Sequence, residues 1–180
     1  MARALAALGA EVVFVTGPAS VPPPDGVTVV RVETAREMLT AVEAALPADA
    51  AVFAAAVGDW HVARESDRKL KKTADGPPAL QFSENPDILA TVSALGEGRP
   101  RLVVGFAAET HDVVENATAK RTRKGCDWIV ANDVSHATGI MGGTQNAVTL
   151  IAEDGAEAWP RMGKNEVARK LADRIAQALA

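Results

Sequence analysis

Short, almost purely apolar runs alternate along this chain with segments of helical periodicity, and this alternation restricts the possible folds most strongly. The strand-like runs are residues 12–16, 27–32, 51–57, 102–106 and 128–131. Apolar runs of this length are typical of strands buried on both faces, and intervening helices let such strands lie parallel. The sequence therefore predicts an α/β fold: a three-layer, Rossmann-like, mostly parallel sheet with helices on both faces.

Capping signals place several of the helices. Thr34 and Glu37 form a capping-box pair ahead of helically spaced apolar residues. Asn85 is expected to cap a helix that has Pro86 at its first position. Gly125 is expected to end a helix over residues 113–124.

The last part of the chain departs from the parallel pattern. Asp154 and Gly155 form a tight-turn signal between the strand-like segments 146–152 and 156–162, which predicts a late antiparallel β-hairpin. A terminal amphipathic helix is expected over residues 164–179.

The first part of the chain is unusual for this class. Residues 1–8 predict a helix, whereas a doubly wound sheet generally opens on a strand followed by a glycine-rich turn. We therefore expect the first strand and its phosphate-facing turn to be missing.

Length and composition limit the class of protein further. The chain has 180 residues, which predicts a single domain over residues 1–180. Its formal net charge of −4 argues against a general nucleic-acid binder. No apolar run approaches the ~20 residues that span a bilayer, so no membrane association is expected. The single Cys126 cannot form an internal disulfide, which indicates a cytoplasmic protein.

Polar or small residues follow several predicted strands, at the edge where α/β sheets bind ligands. Asp59 is placed to bind ribose hydroxyls or Mg²⁺, or to act as an ordinary turn residue. The Phe106 ring can stack on a base, although aromatic residues at such positions more often belong to the core. Asn132 and Asp133 can hold a metal or an amino group, or simply cap a turn.

Lysine side chains offer a means of holding an anionic ligand. Lys120 and Lys124 are four residues apart and share a helix face, where two ammonium groups can bind a polyphosphate. The alternative is a solvated basic face near a helix C-terminus. Lys69, Lys71 and Lys72 lie in a polar loop that is either a flap over a charged substrate or an ordinary charge run.

Several common sites find no support in the sequence. His61, His111 and His136 show no metal-ligand spacing, and no cysteine pair completes a zinc site. The chain also contains no dinucleotide-binding glycine fingerprint, no P-loop and no serine nucleophile elbow.

Taken together, the motifs resemble the synthetase part of the bacterial phosphopantothenoylcysteine decarboxylase/synthetase family. Each motif is weak alone, but the ordered set is specific and extends over nearly the whole chain. The matching segments are Ala54-Ala55-Ala56-Val57-Gly58-Asp59-Trp60, Lys69-Leu70-Lys71-Lys72, Asn85-Pro86-Asp87-Ile88-Leu89, and residues 104–110, 120–125 and 129–135.

The resemblance implies a ligase of coenzyme A biosynthesis. Such an enzyme joins 4′-phosphopantothenate to L-cysteine with CTP and Mg²⁺. The carboxylate attacks the α-phosphate of CTP to give an acyl-cytidylate and pyrophosphate, and the amine of cysteine then displaces CMP. The resemblance also implies a homodimer with its active site at the interface and a flavin-binding decarboxylase domain upstream, so no FMN is expected in this chain.

The resemblance also implies which residues contact the nucleotide. Lys69 is the implied catalytic residue, in a flap that covers the phosphates, while Lys120 and Lys124 neutralise triphosphate charge. The metal ligands stay unassigned. The implied CTP-contacting positions are Asp59, Lys69, Ser83, Glu84, Asn85, Pro86, Phe106, Lys120 and Lys124.

The chain departs from the family at two points. The family begins with a strand and an Asn–x–Ser-Ser-Gly turn that contributes to phosphate binding, and none of this precedes Met1 here. Thr144 stands where an acidic residue is common. The alternative to an active ligase is therefore a catalytically inactive nucleotide-binding fragment or assembly module. A third hypothesis, an NAD-dependent α/β oxidoreductase, lacks the glycine fingerprint.

Overall fold

The computed structural model describes residues 1–64, 79–135 and 143–180. The helices in these segments are α1 (Ala2–Ala7), α2 (Ala35–Ala44), α3 (Ile88–Ser93), α4 (Val113–Lys124) and α5 (Lys164–Leu179). The strands are β1 (Val13–Thr16), β2 (Thr28–Arg31), β3 (Ala50–Phe53), β4 (Trp60–Val62), β5 (Phe82–Glu84), β6 (Leu102–Glu109), β7 (Trp128–Asp133), β8 (Gln145–Asn146), β9 (Val148–Ala152), β10 (Gly155–Ala158) and β11 (Met162–Gly163). None of the described helices is long and apolar enough to cross a membrane.

A five-stranded mixed sheet lies at the centre and confirms the predicted α/β class. Its strand order is β10–β9–β7–β6–β3. The strands β3, β6 and β7 are parallel, and Val104 of β6 lies opposite both Val52 and Trp128. The strand β9 is antiparallel to β7, and β10 is antiparallel to β9. The late hairpin is therefore confirmed, with Gly155 at a φ of 138° where its second strand begins.

Helices cover both faces of this sheet, which gives the predicted three layers. On one face, the buried cluster combines α5 with the side chains that the sheet directs toward it: Leu102, Val104, Val130, Leu150, Leu171 and Ile175. On the other face, the cluster combines α3 and α4 with the alternate strand positions: Val92, Val103, Ala117, Cys126, Ile129 and Ile151. Cys126 is thus a core residue, and burial raises the pKa of its thiol.

The edge strand β3 is less buried than its sequence predicts. A fully buried central strand over residues 51–57 is wrong, because β3 ends at Phe53 and Ala54–Val57 are exposed. The cause is that no described strand pairs with the outer side of β3. Within the described segments, β3 pairs only with β6, while β1 and β2 form a separate parallel pair. An unpaired edge leaves apolar side chains partly in water.

Low burial of apolar side chains extends over the first half of the chain. Among the described residues, Val32 is the one buried apolar side chain that precedes Ile88. Neither α1 nor α2 contains a fully buried residue. The chain nevertheless folds locally as predicted there, because the Thr34 hydroxyl accepts the Glu37 backbone N–H and the Glu37 carboxylate accepts the Thr34 N–H, each at 3.1 Å.

Helix ends are predicted better than strand ends. The predicted bounds of α4 and α5 agree with the structure to the residue, and Gly125 ends α4 in the left-handed conformation at φ 69°. The strands β6 and β7 run further than predicted, to Glu109 and Asp133, because they pair with each other along their full polar ends. The polar loop predicted after residue 58 contains the short strand β4, which pairs with β5.

Candidate functional site

Helix α3 packs closely on β6, and this contact sets the geometry of the candidate site. Gly105 is buried in β6, and a Cβ atom there would lie 2.6 Å from Leu89 Cδ2 and 2.8 Å from Ile129 Cδ1. Glycine therefore leaves the room that the Leu89 side chain occupies. The start of α3 is thereby held beside α4 and near the carboxyl end of β6, the edge at which α/β sheets bind ligands.

Asn85 joins the turn after β3 to the residues that precede α3. Its Nδ2 donates to the Gly58 carbonyl oxygen at 2.8 Å, and its backbone N–H donates to the Asp59 carbonyl oxygen at 2.9 Å. The predicted helix cap at Asn85 is wrong, because these bonds tie Asn85 to the residues before β4. Asp87 is the N-cap instead, with its Oδ1 accepting the Ala90 N–H at 3.0 Å.

Asp87 also binds Lys124, from the last turn of α4. Its second carboxylate oxygen accepts a hydrogen bond from Lys124 Nζ, and the Lys124 side chain is only 20% exposed. Burial by itself would raise the pKa of Asp87, but the hydrogen bonds from Lys124 and from the Ala90 N–H outweigh it and hold the pKa below its ordinary value. The carboxylate is therefore ionised when it faces the ammonium group.

Lys120 lies one turn earlier on α4 and contacts the main chain of β6. Its Nζ donates to the Phe106 carbonyl oxygen at 2.9 Å. Lys124 extends from the same side of α4 toward Asp87, so the predicted shared face of the two lysines is confirmed. The Phe106 ring is half-buried and packs against the α5-side core, as the core alternative predicts. Its carbonyl group, rather than its ring, meets Lys120.

Polar side chains also gather at the end of β7. Asn146 Nδ2 donates to Asn132 Oδ1 at 2.8 Å, and the buried Asn146 Oδ1 has no hydrogen-bond partner among the described residues. Asp133 Oδ1 accepts the Ser135 N–H at 2.9 Å. Hydrogen bonding from the Ser135 side chain, and then from this N–H, lowers the pKa of Asp133. Asp133 thus makes the turn contact expected of an Asx residue.

The remaining predicted residues lie in or beside the antiparallel ribbon formed by β4 and β5, or outside the residues that the structure describes. Ser83 pairs with His61, and Glu84 pairs with Trp60 across this ribbon. Pro86 is half-buried and precedes the N-cap of α3, so its predicted place at the first helical position is wrong. Lys69, Lys71, Lys72 and His136 lie outside the described residues.

Three contacts thus surround one region between the start of α3, α4 and β6, and we call this region the groove. The turn at Asp59 is bonded to Asn85, Asp87 two residues later is bonded to Lys124, and Lys120 one helical turn away is bonded to Phe106. The ribbon carrying Ser83 and Glu84 leads into this groove. Asn132 and Asp133 are the last two residues of the neighbouring strand β7.

A cavity of about 370 Å³ lies elsewhere on the molecule. It is lined by residues at the start of β7 and around the β9–β10 turn, among them Arg121, Trp128 and Glu153. That is the amino end of β7, opposite to the edge where parallel α/β sheets bind ligands. The groove between α3 and α4 is therefore the better candidate site, although it is open to solvent.

A preformed metal centre is not part of this groove. Within residues 1–64, 79–135 and 143–180, no group of three or more His, Cys, Asp and Glu side chains is arranged to hold a metal ion.

Comparison with known proteins shows the family and the fold of this chain. The sequence profile described as the DNA/pantothenate metabolism flavoprotein C-terminal domain matches residues 1–179. The chain belongs to this family. Its fold is also that of the C-terminal domain of the coenzyme A biosynthesis bifunctional protein CoaBC. The crystal structure of that domain aligns with a TM-score of 0.79 and 34% identity, over 99% of this chain and 79% of that one.

Curated relatives in this family are longer proteins. The coenzyme A biosynthesis bifunctional protein CoaBC of Escherichia coli K12 is 42% identical over 178 residues, which are 97% of this chain and 44% of that protein. The protein of the same name from Mycobacterium tuberculosis CDC 1551 is 38% identical over 191 residues, covering 100% of this chain and 46% of its own length. The chain thus spans less than half of these relatives.

A more distant solved structure shares the fold alone. A Cab2 mutant solved in complex with phosphopantothenate-cysteine aligns with a TM-score of 0.62 at 16% identity, over 86% of this chain and 53% of that chain.

Sequence analysis missed one residue that is central to the groove. Asp87 was grouped with the helix start, yet its role as N-cap and as partner of Lys124 was not predicted. The N-cap role can be predicted from the sequence, because Asp three residues before Ala90 matches the capping pattern as well as Asn85 does. The contact with Lys124 cannot be predicted in this way, because it joins residues 37 positions apart.

Replacing Gly105 by alanine is expected to destabilise the protein and loosen the groove. The added Cβ overlaps Leu89 and Ile129, and overpacking of a filled core costs about 1–3 kcal/mol. The free energy of unfolding, measured by urea denaturation, checks this. Gly96→Ala is the control, because a Cβ there meets nothing within 4 Å. An equal effect of the two substitutions would show that α3 does not pack on Gly105.

Proposed function

We propose that this chain is the CTP-dependent ligase part of a coenzyme A biosynthesis enzyme. It joins 4′-phosphopantothenate to L-cysteine through an acyl-cytidylate and yields phosphopantothenoylcysteine, CMP and pyrophosphate. The observation that supports the proposal is a set of contacts around one region. Lys120 and Lys124 of α4 are bonded to the Phe106 carbonyl oxygen and to Asp87. Asn85, two residues before Asp87, is bonded to the turn at Asp59. Family membership and the CoaBC relatives support the same pathway.

The chemistry explains why cations are needed at this place. A carboxylate is a poor acyl donor, so it must first acquire a good leaving group. Attack on the α-phosphate of CTP brings an anionic carboxylate to an anionic triphosphate, and their repulsion has to be offset. Lys120 and Lys124 extend from one helix face. Lys120 supplies a positive charge that no carboxylate of the described residues offsets, and Lys124 is paired with Asp87 until a phosphate takes its place. Lys69 is proposed as the catalytic flap residue by resemblance, and it lies outside the described residues.

Mg²⁺ is proposed to enter with the nucleotide. Asp59 is exposed in the turn directly before β4, where its carbonyl oxygen accepts the Asn85 N–H. One protein carboxylate is enough for a metal that is otherwise bound by phosphate oxygens and water. When bound, the metal neutralises triphosphate charge. The residues of this chain would orient the nucleotide around it.

An upstream decarboxylase domain is proposed from the relatives. The chain matches 44% of the length of the E. coli protein, whose name describes it as bifunctional. The flavin chemistry of such a protein would belong to the other part, so no FMN is assigned to this chain. The substrates would be 4′-phosphopantothenate and cysteine, and the Cab2 complex with phosphopantothenate-cysteine is consistent with a site for that product in this fold.

The catalytically inactive alternative rests on one observation. Among the described strands, β3 lacks a partner on its outer side, next to the proposed nucleotide groove. A groove bordered by an open sheet edge can bind a nucleotide and still fail to position the reacting carboxylate. Pyrophosphate release therefore distinguishes the two functions, whereas nucleotide binding is common to both.

The function is tested by binding and turnover. Calorimetry is expected to detect CTP binding with weaker binding of ATP, and pyrophosphate release is expected only with CTP, 4′-phosphopantothenate and cysteine together.

Lys120→Ala should weaken CTP binding by about 1.5–3 kcal/mol, the usual contribution of a hydrogen bond to a charged group. Lys164→Ala, at the exposed start of α5, is the control.

The outcomes separate cleanly. CTP binding without pyrophosphate release supports the inactive alternative. No heat with CTP, or equal affinity for CTP and ATP, contradicts nucleotide specificity. Equal Kd values for Lys120→Ala and Lys164→Ala would remove Lys120 from the site.

A homodimer is also proposed, through one face of the β4–β5 ribbon. Trp60 and Phe82 alternate onto the same face of this ribbon and are 58% and 61% exposed, and Leu80 nearby is 52% exposed. Large apolar side chains clustered in this way are typical of an interface.

The dimer is tested by analytical ultracentrifugation. The double substitution of Trp60→Ser with Phe82→Ser is expected to shift a dimer to a monomer, because it removes the apolar face. Val21→Ser is the control, since Val21 is 75% exposed in a separate loop. A monomeric parent protein at micromolar concentration, or an unchanged dimer in the double variant, would contradict the proposal.

A further inference from the structure

Asp87 uses its two carboxylate oxygens for different tasks. One oxygen accepts the Ala90 N–H at 3.0 Å and caps α3, and the other accepts the hydrogen bond from Lys124. The cap fixes the carboxylate to the start of the helix, so the second oxygen has a fixed direction. Lys124 extends from the last turn of α4 to reach it. The lysine is therefore held at one place in the groove although its side chain has four rotatable bonds.

The two lysines of the groove differ in the partner that holds them. Lys120 is bonded to the neutral Phe106 carbonyl oxygen and keeps its full charge available. Lys124 is bonded to a carboxylate, so its charge is largely cancelled. A phosphate group that approaches Lys124 must compete with a carboxylate of the same sign of charge, whereas a phosphate that approaches Lys120 meets a neutral dipole.

We propose that Asp87 is a positioning residue that orients Lys124 for the nucleotide phosphates and competes with them for its ammonium group. The inference rests on the proposed function of the groove. The Lys124 side chain is 20% exposed, and the carboxylate keeps it in place while the site is empty. On binding, the phosphate takes over one hydrogen bond of Lys124, and the Asp87 carboxylate remains the cap of α3.

Asp87→Asn tests this directly, because Asn caps a helix as well as Asp does but carries no charge. The probes are CTP, cytidine and inorganic tripolyphosphate, each measured by calorimetry. With the competing carboxylate removed, CTP and tripolyphosphate are expected to bind about two- to fivefold more tightly, the range of a partly exposed ion pair. Cytidine has no phosphate, so its affinity should not change. A merely structural role of Asp87 would alter all three ligands alike.

Two further variants serve as controls. Asp87→Ala removes both the cap and the charge, so a lower melting temperature in this variant alone shows that Asp87→Asn has kept the cap. In a Lys124→Met background, Asp87→Asn should give no gain in tripolyphosphate affinity, because the group for which it competes is gone. The same gain in both backgrounds would overturn the inference, since Asp87 would then act by general repulsion alone.

The outcomes distinguish this inference from the proposed function. If the parent protein binds CTP and Asp87→Asn binds it equally or more weakly, with an unchanged melting temperature, the inference is overturned and the function stands. If CTP gives no heat but tripolyphosphate binds more tightly to Asp87→Asn and not to its Lys124→Met form, the inference stands and the nucleotide function fails.

Discussion

The close contact between Leu89 of α3 and Gly105 of β6 determines the rest of the groove. Because residue 105 has no side chain, the short helix α3 lies directly on the strand, and its cap residue Asp87 comes within reach of α4. The six-residue helix α3 contributes little stability of its own. It is held by packing, with Ile88 and Val92 buried beneath it. The groove is therefore a product of tertiary packing around one glycine.

Parts of the fold that depend on local signals could be predicted from the sequence. The end of α4 follows from Gly125, which adopts the left-handed conformation there, and the late hairpin follows from the turn before Gly155. The extent of β3 could not be predicted in this way. Its residues are apolar enough for a buried strand, but burial depends on whether a second strand lies along its outer edge, which its own sequence does not encode.

In the candidate site, too, local features could be predicted from the sequence and contacts between distant elements could not. The shared face of Lys120 and Lys124 follows from their spacing along one helix, and the structure confirms it. Their partners could not be predicted, because Phe106 and Asp87 come from other elements. Asn85 shows the same limit: its residue type suits a helix cap, but its amide is bonded to Gly58 from a distant turn. Local propensity gave way to a tertiary hydrogen bond in that case.

The most direct test of this account is to map where the nucleotide binds by amide chemical-shift changes on titration with CTP. The account predicts that the largest changes fall on the turn at Asp59, the start of α3 and the carboxyl end of β6, which lie together around the groove. Changes confined instead to the cavity beside Arg121, Trp128 and Glu153, at the opposite edge of the sheet, would contradict it.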